Sequence, residues 1–459
     1  MGDGQITQAP PAAALADGHN PCYVSRVGHK AKVLYLSNNH PLLHPGGAAT
    51  YALELHEAMG RSAEFEPLLV SRMGSSRGIP RSHRAGAPFS SLDGDPTQYL
   101  VLIEEEDFDS FYMTCREKSL YTRYFANFLR AHEPDVVHFL HSPLLGCELI
   151  SLIHRLLPEA PIVYTLHDYA PICHRDGKFV RTGSEAFCLK ASSRRCHECF
   201  PEISEQDFFY RSRFIRAHLD HVDLFLAPSQ FLLERYVDWG VARERIRFED
   251  YGQPRAQPFP ESPPDRPRNR LGFFGDLSPF KGTEVLLRAM RILRSEQPDV
   301  HLWVHGSNLG DYPDEYQQDF WTLLNETGNA TFAGSYDRGS LAHVMSNVDW
   351  VIVPSRWWEG SPLVIQEAFS HGRPVICSDI GGMAEKVADG VNGLHFTVGS
   401  PQNLADTVRR AVTTPGLWDL LRAGAPAVAT MEEHVGRLAG VYRELLEREH
   451  RVEAPAVLR

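Results

Sequence analysis

Residues 355–367 read Ser-Arg-Trp-Trp-Glu-Gly-Ser-Pro-Leu-Val-Ile-Gln-Glu, and the rest of the chain is organised around them. The stretch follows a short apolar strand, Trp350 to Val353, bounded by Pro354. It leads into a predicted helix whose start is marked by Ser361 and Pro362, because Ser is a favoured N-cap and Pro is pre-shaped for the first helical position. That helix is expected to end near His371, with Gly372 as its left-handed cap and Pro374 barring continuation. A helix N-terminus presents unpaired N–H groups and a partial positive charge, so the backbone from Ser361 to Leu363 could hold a phosphate. Glu359 lies just before that site and Glu367 eight positions on. An anion pocket with a carboxylate on either side suits a ligand that joins a diphosphate to hydroxyl-rich sugars, which is a nucleotide sugar.

Outward from this stretch the chain divides in two. Residues 1–29, rich in Ala, Pro and Gly, read as a disordered tail, not a signal peptide. Residues 30–253 hold apolar runs suited to buried parallel strands: Lys32 to Ser37, Asp135 to Leu140, Ile162 to Leu166 and Asp223 to Ala227, separated by helical stretches. Residues 72–98, rich in Gly, Ser, Pro and Arg, read as a long loop. The prolines of 254–270 make that segment the domain linker. From Leu271 the pattern restarts, with strands at Leu271 to Gly275, His301 to His305, Ala330 to Phe332, Trp350 to Val353 and Pro374 to Cys377. A terminal amphipathic helix over 431–450 is expected to pack back towards the N-terminal half. The expected architecture is α/β, two Rossmann-like doubly wound domains (30–253 and 271–430) facing across a cleft, with ligands beyond the carboxyl ends of the strands. Gly46 and Gly47, His167, Lys281, Glu359 and Glu367 all fall at or after such ends.

Composition narrows the function. A chain of 459 residues with 43% hydrophobic and 23% charged residues is that of a globular protein with more than one core. No apolar run reaches the roughly 18 residues that span a bilayer. A formal net charge of −12 argues against nucleic acid as a partner. Eight cysteines in this length do not form a disulfide framework, and the expected compartment is the cytoplasm.

Three blocks then carry a resemblance: Gly272 to Gly282 (GFFGDLSPFKG), the stretch Glu359 to Glu367 (EGSPLVIQE), and Arg373 to Phe396 (RPVICSDIGGMAEKVADGVNGLHF). With Gly46-Gly47, Asp135-Val-Val-His138 and Thr165-Leu-His-Asp168, they resemble family-four retaining glycosyltransferases of the GT-B fold. The resemblance implies that Glu367 binds the ribose of the donor nucleotide, and that Glu359 holds hydroxyls of the transferred sugar. The backbone at Ser361, Pro362 and Leu363 then contacts sugar and diphosphate, Lys281 neutralises the leaving diphosphate, and His167 sits near the anomeric carbon. The Gly46-Gly47 loop lines the diphosphate or acceptor side. The acceptor implied is a saccharide or a lipid-linked saccharide, and catalysis needs no cofactor. One position departs: the family commonly has Arg ahead of the Lys-Gly pair where this chain has Asp276, a repulsive neighbour for a diphosphate. Arg356 or Arg270 is the expected replacement cation. A sugar-nucleotide epimerase and a catalytically inactive nucleotide-sugar-binding protein are the alternatives.

Two further signals stand apart. Cys173, Cys188, Cys196 and Cys199 are spaced C-x14-C-x7-C-x2-C within the segment 173–199, and four thiolates fit a tetrahedral structural zinc. Such a site would pin the loop that bears His167. Arg211, Arg213 and Arg216 among Phe208, Phe209, Phe214 and Ile215 read as an amphipathic helix or as a membrane-facing one, giving peripheral contact at the inner membrane face.

Overall fold

The structure, a computed structural model, describes residues 30–74, 88–141, 143–256 and 266–452. The expected tail (1–29), most of the linker (257–265) and part of the expected long loop (75–87) lie outside the described residues.

Two sheets form the frame. In chain order the first contains β1 (Ala31–Ser37), β2 (Phe65–Met73), β3 (Phe89–Ser91) and β4 (Gln98–Leu102). A two-residue ribbon of β5 (Phe108–Asp109) and β6 (Thr114–Cys115) intervenes before β7 (Val136–Leu140), β8 (Ile162–Thr165), β9 (Leu224–Ala227) and β10 (Ile246–Phe248). The eight-stranded order is β10-β9-β8-β7-β1-β2-β4-β3, and every pairing is parallel except β3 against β4. The second sheet is wholly parallel. Its strands are β11 (Arg270–Asp276), β12 (His301–Ser307), β13 (Ala330–Gly334), β14 (Trp350–Val353), β15 (Val375–Ser378) and β16 (Gly393–Phe396), in the order β13-β12-β11-β14-β15-β16. The central strands are buried along their length, Val33 to Leu36 and Val351 to Ile352 among them. That explains their unbroken apolar runs, since helices cover both faces of a parallel sheet. This is the GT-B arrangement.

The expected loop at 72–98 is corrected: β2 runs on to Met73, and Phe89–Ser91 forms an antiparallel edge strand on β4. Its polar composition is that of a short sheet edge, which buries only part of its surface. The last helix, Met431–Val452, lays Met431, Val435, Leu438, Tyr442 and Leu445 against the cluster holding Val33, Tyr35 and Leu55 of the first sheet's half. The hydroxyl of Tyr442 lies 2.6 Å from His138 Nδ1, whose Nε2 lies 2.7 Å from Thr165 Oγ1. His138 is therefore a buried structural histidine.

Candidate active site

The loops after β8, β11 and β14 meet. Gly282 has φ +74°, and a Cβ there would lie 1.9 Å from the carbonyl oxygen of Pro354, so only glycine lets the β11 loop press onto the β14 loop. The backbone N–H of Arg356 donates to Phe280 O at 2.7 Å, which seats Arg356 beside the Lys281 turn. Lys281 Nζ reaches Glu359 Oε1 at 2.6 Å. Ser355 Oγ and Trp357 Nε1 donate to the same oxygen at 2.7 and 2.9 Å, so this buried carboxylate is held by three donors. At Gly360 a Cβ would come 2.8 Å from the carbonyl oxygen of His167, which brings the first sheet's half against the stretch 355–367. Gly46 is the residue before the helix Gly47–Gly60, and a Cβ on Gly47 would sit 3.5 Å from Leu363 Cδ1.

The helix is Leu363–Ser370, preceded by Pro362, so Ser361 is not its N-cap as expected. Ser361 Oγ instead donates to Asp250 Oδ1 at 3.1 Å, a contact with a carboxylate of the first half. Gly372 has the expected left-handed conformation at φ +61°.

His167 stacks on Tyr251, with ring centroids 5.1 Å apart, and its Nδ1 lies 2.7 Å from the Tyr251 hydroxyl. Its Nε2 is buried and has no hydrogen-bond partner among the described residues. Burial first, and then the nearby His141 ring, hold this imidazole well below the usual histidine range, so it is neutral. His141 Nε2 in turn lies 2.7 Å from Asp168 Oδ2, and its ring centroid lies 5.5 Å from that of His167.

Glu367 is buried and bonded to Arg338 Nη1. The same guanidinium forks onto Glu54, with Nη2 to Oε2 at 2.8 Å, and reaches Gln253 Oε1 at 3.4 Å. Burial pushes the Glu367 carboxyl up, and Arg338 pulls it back. Sequence reasoning missed Arg338, Glu54 and Tyr251. No local pattern marks them, since Glu54 and Arg338 are 284 positions apart.

Several expectations are corrected. Asp276 accepts a hydrogen bond from the Tyr312 hydroxyl at 3.0 Å. Arg270 cannot be its replacement cation: it opens β11 while Asp276 closes it, about 20 Å away at strand rise. Arg270's backbone N–H goes to Asp349 at 3.0 Å. Arg211 does not face a membrane. It is buried in the helix Glu205–Leu219 and donates to the carbonyls of Phe111, Pro171 and Ala170 at 2.7, 2.9 and 2.8 Å. No helix among the described residues is long and apolar enough to cross a membrane.

Cys173, Cys188, Cys196 and Cys199 line one cavity of about 20 Å³, together with His174, Phe179 and Phe208. None of the four is in a disulfide. Among the described residues no three His, Cys, Asp or Glu side chains are grouped so as to hold a metal ion.

Comparison with known proteins adds an independent line. The family described as "Glycosyl transferases group 1" matches residues 268–414, and "Glycosyltransferase Family 4" matches residues 45–248. The chain is 32% identical over 419 residues to a D-inositol 3-phosphate glycosyltransferase of Frankia alni, covering 86% of this chain and 90% of that protein. A protein of the same name from Jonesia denitrificans is 34% identical, but over 33% of this chain and 37% of its own length. In fold, the chain is similar to Anabaena Alr3699/HepE in complex with UDP and glucose, with a TM-score of 0.61 at 18% identity, covering 90% of this chain and 99% of that one.

Proposed function

Because the chain belongs to the glycosyltransferases of group 1 and family 4, we propose that it moves a sugar, with retention of configuration, from a nucleoside diphosphate to a saccharide or lipid-linked acceptor. The observation that carries this is the pair of buried carboxylates eight residues apart, Glu359 bonded to Lys281 and Glu367 at the helix, in a stretch whose Gly360 packs on the His167 carbonyl. Glu367 takes the ribose hydroxyls on the oxygen that Arg338 leaves open. Glu359 holds hydroxyls of the transferred sugar. As the anomeric carbon loses its diphosphate, negative charge grows on the leaving oxygens, and Lys281 with the helix start at Leu363 meets it; such preorganised charge is commonly the largest single term in catalysis. Neutral His167 offers its buried Nε2 towards the reacting sugar as a hydrogen-bonding group, not as a cation. The mechanism of this reading is same-face displacement, with a phosphate oxygen assisting deprotonation of the acceptor; the nearby Asp168 and Asp250 are taken up by His141 and by Ser361 and Gln366. The compartment of this reading is the cytoplasm, and a lipid-linked acceptor would put the protein at the inner face of the membrane.

Asp276 favours a second reading, a protein that binds the nucleotide sugar without transferring it. Turnover separates the two: release of nucleoside diphosphate from a panel of nucleotide sugars supports transfer, and binding without release supports the second reading.

The four cysteines lend themselves to a structural zinc. Their shared cavity supports it, as do the backbone N–H groups of Arg175 and Phe179 that favour a thiolate at Cys173. Burial otherwise pushes the Cys173 thiol up to about 11. Zinc would therefore have to displace protons and draw the sulfurs inward, coupling metal binding to local folding. The ion would act by fixing the segment, with no part in the transfer.

A further inference from the structure

Lys281 is already neutralised by Glu359, and Asp276 stands where an arginine is expected. A donor diphosphate therefore calls for cations beyond Lys281, and Arg356, seated beside the Lys281 turn, is the one that the sequence points to. The segment that follows His167 brings another. Gly177, with φ +68°, is packed so closely that a Cβ would lie 2.6 Å from Ala170 N and 3.1 Å from Asp168 Cγ. This turn delivers Lys178 to the loops of the second sheet. Its Nζ lies 4.7 Å from the ring centroid of Trp357 and 5.7 Å from that of Phe280. Lys281 Nζ lies 5.6 Å from the same Trp357 ring. Two ammonium groups thus share one indole; Glu359 bonds to Lys281, while Lys178 is faced by Asp168 through charge without a hydrogen bond, that carboxylate being taken up by His141 and by the Ala170 N–H. Among the described residues Lys178 Nζ has no hydrogen bond or ion pair, so its three N–H donors remain available to an anion. Arg175 also lies over Phe280, at 5.0 Å, but it is committed to Glu185 at 2.7 Å and to the carbonyls of Val180 and Arg181.

We propose that Lys178 is a further cation for the donor diphosphate, supplied by the cysteine-bearing segment in place of the charge that Asp276 does not provide. As the bond between the anomeric carbon and the diphosphate oxygen breaks, the electron pair passes to that oxygen, and Lys178 and Lys281 together face the new charge. The aromatic rings hold the ammonium without consuming its donors. This rests on the donor-site reading above.

The test compares the Kd values of UDP, GDP and ADP with those of their monophosphates, and donor turnover, for wild type, Lys178→Met and Lys178→Arg. Lys178→Met should lower the preference for the diphosphate of the bound base about tenfold and reduce turnover, while leaving the monophosphate little changed. Lys178→Arg should recover most of the preference. An unchanged preference in Lys178→Met overturns the inference, and so does an equal loss of both nucleotides, which marks a packing role. If Lys178→Met does not fold, Lys178→Gln replaces it, read against melting temperature. A wild-type protein that binds none of the nucleotides overturns the donor-site reading itself, whereas wild-type binding with an unaltered variant overturns only the role of Lys178.

Discussion

Glu359 and Glu367 are given different tasks by their partners. Glu367→Ala should weaken nucleoside diphosphate binding by roughly tenfold or more, because charge-assisted hydrogen bonds to the ribose are lost. Glu359→Ala should mainly lower turnover, since its oxygen organises Lys281, Ser355 and Trp357 around the sugar. Calorimetry and steady-state kinetics separate these, and equal losses of binding in both variants would contradict the assignment. Arg338 gives a pH-dependent prediction. Glu367 is faced by Arg338, Glu54 and Tyr336, and His371 Nδ1 lies 2.7 Å from the Glu367 carbonyl oxygen. Burial raises the Glu367 carboxyl and Arg338 opposes the rise. Arg338→Gln should lift it further, so the ionised form is lost at higher pH as acid is added. Nucleotide binding by that variant should therefore weaken as pH falls and recover as it rises, with the loss setting in at higher pH than in wild type; titration at several pH values checks this. The two glutamates were legible in the sequence because an eight-residue spacing after a strand is local. Arg338 and Lys178 were not, because their neighbours lie far away in the chain and only folding brings them together.

Two elements carry the frame of the site. The helix Met431–Val452 was legible from its apolar stripe, and its docking against the first sheet buries Leu438 completely. Leu438→Ala should cost about 2 to 5 kcal/mol in denaturant unfolding, the usual range for a buried leucine with a cavity left behind. A loss below 1 kcal/mol would show that the helix is not an integral part of the core. The cysteine-bearing segment reaches the site through Trp358, whose Nε1 donates to Cys188 O at 3.0 Å, and through Lys178 over Trp357. Purified protein should contain about one zinc per chain, and chelation should lower its melting temperature. Metal-free protein of undiminished stability would count against zinc. The helix Leu363–Ser370 starts one residue later than the Ser-Pro signal implies, and the Ser361 hydroxyl is turned to Asp250, a distant partner that local propensity does not register. The edge strand Phe89–Ser91 was hidden for a related reason, since its partner β4 and not its own composition makes it a strand.

At the scale of the whole molecule, the halves are joined by polar contacts that ring the candidate site. Glu385 accepts the backbone N–H groups of Gln230 and Phe231 at 2.8 and 2.9 Å, Arg338 forks onto Glu54, and Gly360 rests on the His167 carbonyl. The alternation of strands and helices made the two parallel sheets legible, because strands buried on both faces must be apolar throughout. How the halves meet was not legible, since those contacts are made by loops without periodic patterning. The site they enclose, with its carboxylate pair, paired lysine and neutral histidine, predicts a nucleoside diphosphate as the ligand. The most direct test is calorimetric titration of wild type and Glu367→Ala with UDP, GDP, ADP and dTDP. The predicted result is that at least one diphosphate binds the wild type at micromolar Kd, about 8 kcal/mol, and binds Glu367→Ala at least tenfold more weakly. Absence of binding to all four, or binding that Glu367→Ala leaves unchanged, would contradict a donor site built on this stretch.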